Sequence, residues 1–312
     1  MLFMYGSVFL NNKRFLITGC SGFIGSSILE YLYYKGYSVF GITIDDYISH
    51  KFVVNKINFT YNSIADIIKE FLPDVVIHAA GSSSVGFSVS NPLADYSASV
   101  DSFITLLEGI RVSGHKPLVV YLSSASVYGN PITFPVKERD LLNPISPYGY
   151  HKIISEKIAE EYNRFYSIPV LIVRLFSLFG PLQKKLLIWE LYQKFRNEET
   201  VIVEGTGNET RDYLYIDDFI ILLLRVISGI NNGIETFNIA SSVPITVKDV
   251  AFKMRDIIGS KKEIIFLNKK REGNPENWQA DISKLQKLIG NIKISDFDEV
   301  LEKCINQWEL DC

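Results

Sequence analysis

The chain has 312 residues, of which 47% are hydrophobic and 21% charged, and a net charge of −3. That is an ordinary globular balance, and the length supports one large domain or two that share a core. With no long basic run, nucleic acid is excluded as a main partner. Three cysteines, Cys20, Cys304 and Cys312, form no pattern, which suits a reducing cytoplasm better than a disulfide framework. The histidines His50, His78, His115 and His151 are scattered, and no metal site is expected.

Met1 to Leu10 is apolar apart from Gly6 and Ser7. It lacks the basic start and cleavage site of a signal peptide and is too short to span a bilayer, so it reads as a packed or disordered extension. Runs such as Phe219 to Ile227 are also too short, and no membrane span is expected. Arg14 to Thr18 is a short buried strand. Gly19, Gly22 and Gly25 form a glycine-rich turn that opens a helix over Ser26 to Lys35, which Gly36 stops. Ser38 to Ile44 is a strand, Ile64 to Leu72 a helix ended by Pro73, and Asp74 to Ala80 a continuous apolar strand. A helix over Pro92 to Ser113 follows, then a strand over Leu118 to Ser123, a helix from Tyr148 to about Tyr166 and a strand over Val170 to Leu175. This alternation predicts an α/β fold, a Rossmann-type doubly wound parallel sheet with right-handed crossovers.

After Gly180-Pro181 the rhythm changes. The pattern predicts a helix over Leu186 to Asn197, a strand over Val201 to Val203, a polar loop over Glu204 to Asp212 and a helix over Ile216 to Ser228. Phe237 to Ala240 is read as a strand returning to the main sheet. Val247 to Ile258 is helical, Glu263 to Leu267 extended, and Phe297 to Glu309 a closing helix. The expected division is a dinucleotide-binding domain over residues 1–176, its sheet completed near 237–240, and a smaller C-terminal substrate-binding lobe over 177–312.

A glycine turn between strand and helix lets backbone approach a pyrophosphate, which the helix N-terminus favours. The residues placed against the dinucleotide are Gly19, Ser21, Gly22, Phe23, Ile24, Gly25, Thr43 and Asp45, with Ala79, Ala80 and Gly81 after the third main strand. An acidic side chain near the end of the second strand holds the adenosine ribose, and Asp45 or Asp46 fills that place, since Thr43 stands at the usual acidic position. No Arg or Lys precedes Lys51 there, and two carboxylates repel a 2′-phosphate, so NAD is favoured over NADP. Tyr148 and Lys152 are four residues apart, on one face of a helix; Tyr150 and His151 lack that spacing.

These motifs together resemble the extended short-chain dehydrogenase/reductase superfamily, in its branch of nucleotide-sugar epimerases, dehydratases and reductases. The resemblance runs over almost the whole chain. It is carried by Thr18–Gly25, Ile77–Gly81, Ser123–Gly129, Tyr148 with Lys152, Val173–Phe176, Gly180-Pro181, Arg211-Asp212-Tyr213 before Asp217-Asp218, and Ala280–Lys284. It implies that Tyr148 is the acid/base, that Lys152 binds the nicotinamide ribose and lowers the tyrosine pKa, and that Ser124 bonds the reacting oxygen. It implies a nucleotide-diphosphate sugar as substrate, met by Ser83, Ser84, Ser126, Ser177, Arg211 and Arg271. Arginine suits a diphosphate because its planar fork pairs phosphate bidentately.

Where the family's 4,6-dehydratases carry an Asp-Glu pair, this chain has Ala125 and Ser126, which cannot run an elimination. The resemblance therefore implies NAD-dependent oxidation at sugar C4, by a C4 epimerase or a C4 dehydrogenase. The GDP-heptose type found in surface-polysaccharide synthesis is included. An NADPH-dependent 4-ketoreductase is the next reading, and a non-catalytic NAD-binding sensor or scaffold a reading of another class. Ser177 and Ser99 stand where the family commonly has asparagine. Arg211 has an alternative reading, as partner of Asp217 or Asp218; Lys184 and Lys185 read as a solvated face, and Trp278 as core. The family also implies a homodimer or higher homo-oligomer. Its four-helix bundle would be built from Ala94–Arg111 and Tyr148–Tyr166, with Ile154, Ile158, Tyr162 and Phe165 supplying the face.

Overall fold

The computed structural model describes residues 10, 12–46, 54–230, 233–269 and 275–310. Residues 1–9 of the N-terminal extension, Lys51, Arg271 and Cys312 lie outside this set. The first half runs β1 (Arg14–Thr18), α1 (Phe23–Tyr34), β2 (Ser38–Thr43), β3 (Val54–Lys56), α2 (Tyr61–Phe71), β4 (Val75–His78), α3 (Val85–Ser90), α4 (Pro92–Tyr96), α5 (Ser102–Ser113), β5 (Leu118–Ser124), α6 (Pro147–Tyr166) and β6 (Val170–Leu175). The second half adds β7 (Ser177–Phe179), α7 (Leu186–Asn197), β8 (Val201–Val203), β9 (Thr210–Tyr215), α8 (Ile216–Gly229), β10 (Ile234–Ile239), β11 (Pro244–Thr246), α9 (Val247–Ile258), β12 (Ile264–Phe266), α10 (Ser283–Ile289) and α11 (Phe297–Leu310).

Seven strands form one parallel sheet in the order β10-β6-β5-β4-β1-β2-β3. Alternate side chains of each strand point to opposite faces, and both faces are apolar. Phe15, Ile17, Val120, Leu122, Leu171 and Val173 pack into one core with Leu29 and Leu223. Leu16, Val119, Tyr121, Val170 and Ile172 pack into a second with Ile64 and Leu107. This is the doubly wound α/β fold expected, and the chain order reverses between β1 and β4, where such sheets open a ligand crevice.

Two expectations are corrected. The single helix over 92–113 is instead α4, a π-helical turn at Ser97–Asp101, and α5. Among the described residues, the buried Ser99 hydroxyl in that turn has no hydrogen-bond partner. The polar loop to Asp212 is cut short by β9, which pairs with β7 and antiparallel with β11. Asp212 reads as a loop residue by polarity, but it is buried and accepts from Ser241 N and Oγ at 2.8 and 2.6 Å and from Ala280 N at 3.0 Å. No described helix is long and apolar enough to cross a membrane.

Candidate active site

One cleft of about 1730 Å³ runs from the glycine turn, across the carboxyl ends of β1, β4 and β5, to the lobe holding Arg211. At its floor the backbone is packed so closely that side chains do not fit. Gly19 has φ +67°, and a Cβ there would sit 2.5 Å from Ala80 N; a Cβ on Gly25 would sit 2.3 Å from Gly19 O. Gly22 is the N-cap of α1, so the first amides of that helix face the crevice. Gly19, Ser21, Gly22, Phe23, Ile24, Thr43, Asp45, Ala79, Ala80 and Gly81 all line the cleft, whereas Gly25 lies under the turn. This is a cradle a dinucleotide pyrophosphate fits.

The two aspartates differ in position. Asp45 lies on the cleft wall, taking a 2.7 Å hydrogen bond from the Ser21 hydroxyl, which also meets Thr43 Oγ1 at 2.9 Å. Asp46 points away and holds Lys56 at 2.5 Å.

Ser124 ends β5, and Ser146 caps α6 by accepting from Gly149 N at 3.2 Å, with Pro147 in the first turn. This places Tyr148 and Lys152 on the cleft wall beside Ser124. The Lys152 Nζ donates to Leu122 O at 3.0 Å and lies 5.5 Å from the centre of the Tyr148 ring. Burial pushes the Tyr148 phenol up to about 12, against a lowering hydrogen bond from Ser124, and the charge of Asp95 raises it further. Burial pushes the Lys152 ammonium down to about 8, opposed by Asp95 and Glu156. Lys152 was expected to lower the phenol; in the protein alone burial raises it, and the lowering influence comes from the hydrogen bond with Ser124. Tyr150 is exposed and not on the cleft wall.

Ser83, Ser84, Ser126, Ser177 and Arg211 also line the cleft. Arg211 does not pair with either aspartate. Asp218 takes Ser295, and Asp217 meets Lys303 at 3.5 Å. The Arg211 guanidinium donates to Thr210 O and Glu276 O and sits 5.3 Å from the centre of the Trp278 ring. Trp278 packs against the core yet also faces the cleft, and Lys184 and Lys185 stand at its rim. The sequence did not flag Gln183, and it gave Tyr213 only as part of the Arg211-Asp212-Tyr213 motif, without a role. Both line the cleft, and among the described residues the buried Gln183 Oε1, Tyr213 OH, Ser126 Oγ and Trp278 Nε1 have no hydrogen-bond partner. Buried polar atoms of this kind are normally satisfied.

A dinucleotide cradle joined to a buried Ser–Tyr–Lys group defines an oxidoreductase fold and site of the short-chain dehydrogenase/reductase type. Residues 15–240 match the family described as the NAD dependent epimerase/dehydratase family. The chain belongs to that family, is an enzyme of it, and uses NAD. It is 32% identical over 304 residues to a putative UDP-glucose 4-epimerase of Methanocaldococcus jannaschii, covering 93% of this chain and 97% of that one. It is 27% identical to a UDP-glucose 4-epimerase of Mycolicibacterium smegmatis, covering 89% and 92%. Among solved structures, a UDP-glucuronic acid 4-epimerase from Bacillus cereus, in complex with UDP-glucuronic acid and NAD, is similar with a TM-score of 0.86 and 26% identity, covering 96% of this chain and 100% of that one.

Proposed function

We propose that the protein is an NAD-dependent 4-epimerase of a UDP-sugar. The observation that carries this reading is the continuity of one cleft from the glycine cradle, past Tyr148, to Arg211. Ala125 and Ser126, neither ionisable, stand where an elimination needs an acid and a base. The names of the relatives support the choice of C4 and of UDP.

Bound NAD supplies the hydride acceptor and, after the sugar has turned, the hydride donor. Tyr148 takes the proton of the C4 hydroxyl and, once the keto-sugar has turned its other face to the nicotinamide, returns it to the C4 oxygen. Ser124 holds the reacting oxygen. A phenol this buried is a poor base until a positive charge arrives nearby, so ionisation is coupled to cofactor binding. Lys152, fixed by Leu122 O, holds its ammonium at the tyrosine and bonds the nicotinamide ribose. Asp45 bonds the adenosine ribose. Arg211 and Arg271 clamp the diphosphate, and Ser83, Ser84, Ser126 and Ser177 meet the sugar or its phosphates.

The test is incubation with UDP-, GDP-, CDP- and dTDP-sugars, GDP-heptose included, in deuterated water with NMR readout. A UDP-sugar is expected to equilibrate with its C4 epimer without added NAD, with protium kept at C4 because the hydride never meets solvent. A 4-ketone formed with stoichiometric NADH identifies a dehydrogenase and overturns the reading; so does inertness towards every sugar.

We further propose a homodimer through α5 and α6, in the cytoplasm, where free buried cysteines such as Cys20 and Cys304 persist. Ile154 and Phe165 are exposed, Phe165 at 68%, whereas Tyr162 belongs to the core and donates to Glu108 at 3.2 Å. Leu93, at the start of α4, is also exposed, at 80%. Sedimentation of Ile154→Glu/Phe165→Glu is expected to give a monomer from a dimeric wild type; a monomeric wild type at micromolar concentration refutes the proposal.

A further inference from the structure

Ser124 ends β5 and Arg211 stands in β9, yet a short path of hydrogen bonds joins the two parts of the chain. Its middle is the stretch from Glu276 to Asp281. On one side this strap runs along β9. Thr210 N donates to Glu276 O at 3.1 Å, Trp278 N donates to Thr210 O at 3.2 Å, and Ala280 N donates to Asp212 Oδ2 at 3.0 Å. On the other side it meets the segment that follows β5. Val136 N donates to Gln279 O and Asp281 N to Val136 O, each at 2.8 Å, and Glu276 N donates to Asn130 Oδ1 at 3.1 Å. Asn130, Glu276, Trp278 and Arg211 all line the cleft.

Glu276 is the crossing point of this path. Its N–H goes to Asn130, and its C=O accepts from Arg211 Nη1 at 3.2 Å. Arg211 Nη1 also donates to Thr210 O at 2.7 Å, and the Trp278 ring lies 5.3 Å from the guanidinium carbon. Both bonds leave from one nitrogen, and a guanidinium carries further donors on Nε and Nη2 that suit a bidentate phosphate pair. Asn130 stands on a firm base. Gly129 before it has φ +63° and is packed so closely that a Cβ would fall 1.9 Å from Asn143 O. Tyr128, one residue earlier, is held through its hydroxyl by Asn238 and Arg174.

We propose that Asn130 is a positioning residue for the diphosphate: through the backbone of Glu276 it fixes the direction of the Arg211 fork relative to the catalytic end of the cleft. Without the Asn130 bond the Glu276 end of the strap is tied to β9 alone, and the carbonyl that holds Nη1 is free to shift with it. An exposed asparagine in a loop otherwise contributes little. The inference rests on the reading of Arg211 as a diphosphate clamp, but its test needs no sugar.

The experiment is a calorimetric titration of the NAD-loaded protein with UDP, and with GDP, CDP and dTDP alongside. Asn130→Ala is expected to weaken the tightest of these by about three- to tenfold, the fold-change of one neutral hydrogen bond. NAD content and melting temperature are expected to stay at wild type, because Asn130 is exposed. Arg211→Lys keeps a charge for the diphosphate, so binding stays measurable, but gives up the fork. In that background Asn130→Ala is expected to change the affinity by less than about twofold, since residues that act through one another do not add. A merely structural asparagine would cost the same in both backgrounds, and that result overturns the proposal. So does wild-type affinity in Asn130→Ala, or a wild type that binds none of the four diphosphates. A diphosphate that binds with this coupling to a protein inert towards the whole sugar panel would sink the epimerase reading and leave the positioning role standing.

Discussion

Tyr148→Phe is expected to lower kcat by about a thousandfold or more while bound NAD and thermal stability stay close to wild type. General acid–base groups contribute about 10²–10⁴-fold, and in the proposed reaction one oxygen carries the proton in both half-reactions. The substitution removes that oxygen and little else. The ring remains beside the Lys152 ammonium, 5.5 Å from its centre, and the backbone amide keeps its 3.1 Å hydrogen bond to Ser88 Oγ. Lys152 keeps its bond to Leu122 O, so the cofactor ribose loses no partner. Ser124 and Lys152 are less clean targets, since Ser124 Oγ also accepts from Ser126 N at 3.1 Å and shapes the turn after β5. Activity is read by epimer formation, cofactor content by the absorbance released on denaturation, and folding by a melt. The pH dependence adds a second arm. With the phenol pushed up to about 12 and the Lys152 ammonium down to about 8, activity of the wild type is expected to rise with pH and then fall as Lys152 loses its charge, and the residual rate of the variant to lose the rising limb. Turnover within tenfold of wild type would remove Tyr148 from the chemistry.

What the sequence revealed is what short-range pattern can reveal. The strands Arg14–Thr18, Val170–Leu175 and Val201–Val203 and the helices Leu186–Asn197 and Val247–Ile258 coincide with their expected bounds residue for residue. Each has a clear apolar pattern, and some have a local stop or start, such as Thr246 accepting from Asp249 N at 2.9 Å. Tyr148 with Lys152 was legible for the same reason, because one helical turn sets their separation. Strand β9 was not, because Asp212 hides its burial behind hydrogen bonds to residues 29 and 68 positions away. The short helices α3 and α10 lack the length for periodicity to show. Asp95 with His151, and Gln183 on the cleft wall, carry no local signal. Their neighbours are assembled by the sheet, and only coordinates reveal that Oδ1 of Asp95 or Oε1 of Gln183 is left unbonded.

The second large effect is on stability, at Glu156. Its carboxylate takes a two-pronged bond from Arg174, Nε to Oε1 at 3.0 Å and Nη2 to Oε2 at 2.7 Å, and a third from Ser123 Oγ at 2.6 Å. Both side chains of the ion pair are about 95% buried, at 4% and 6% exposure. The remaining Arg174 nitrogen, Nη1, donates to Tyr128 OH and Glu138 O, and Tyr128 OH in turn donates to Asn238 Oδ1 at 2.7 Å. The cluster therefore ties β5, α6, β6 and β10 together just behind Ser124. Removing one member of a buried pair costs about 3–5 kcal/mol, because the other charge is left without compensation. Glu156→Ala is expected to lose that much in reversible denaturant unfolding of the NAD-loaded enzyme. Replacing both partners by apolar side chains of similar volume, Glu156→Met with Arg174→Met, is expected to recover most of the loss, since no buried charge remains. The cycle also separates stability from chemistry. If the network positions Ser124, the double variant folds but stays impaired in kcat. A single Glu156→Ala variant within about 1 kcal/mol of wild type, below the usual cost of stranding a buried charge, would mean that water reaches Arg174 and that the cluster is not the dry junction the packing describes.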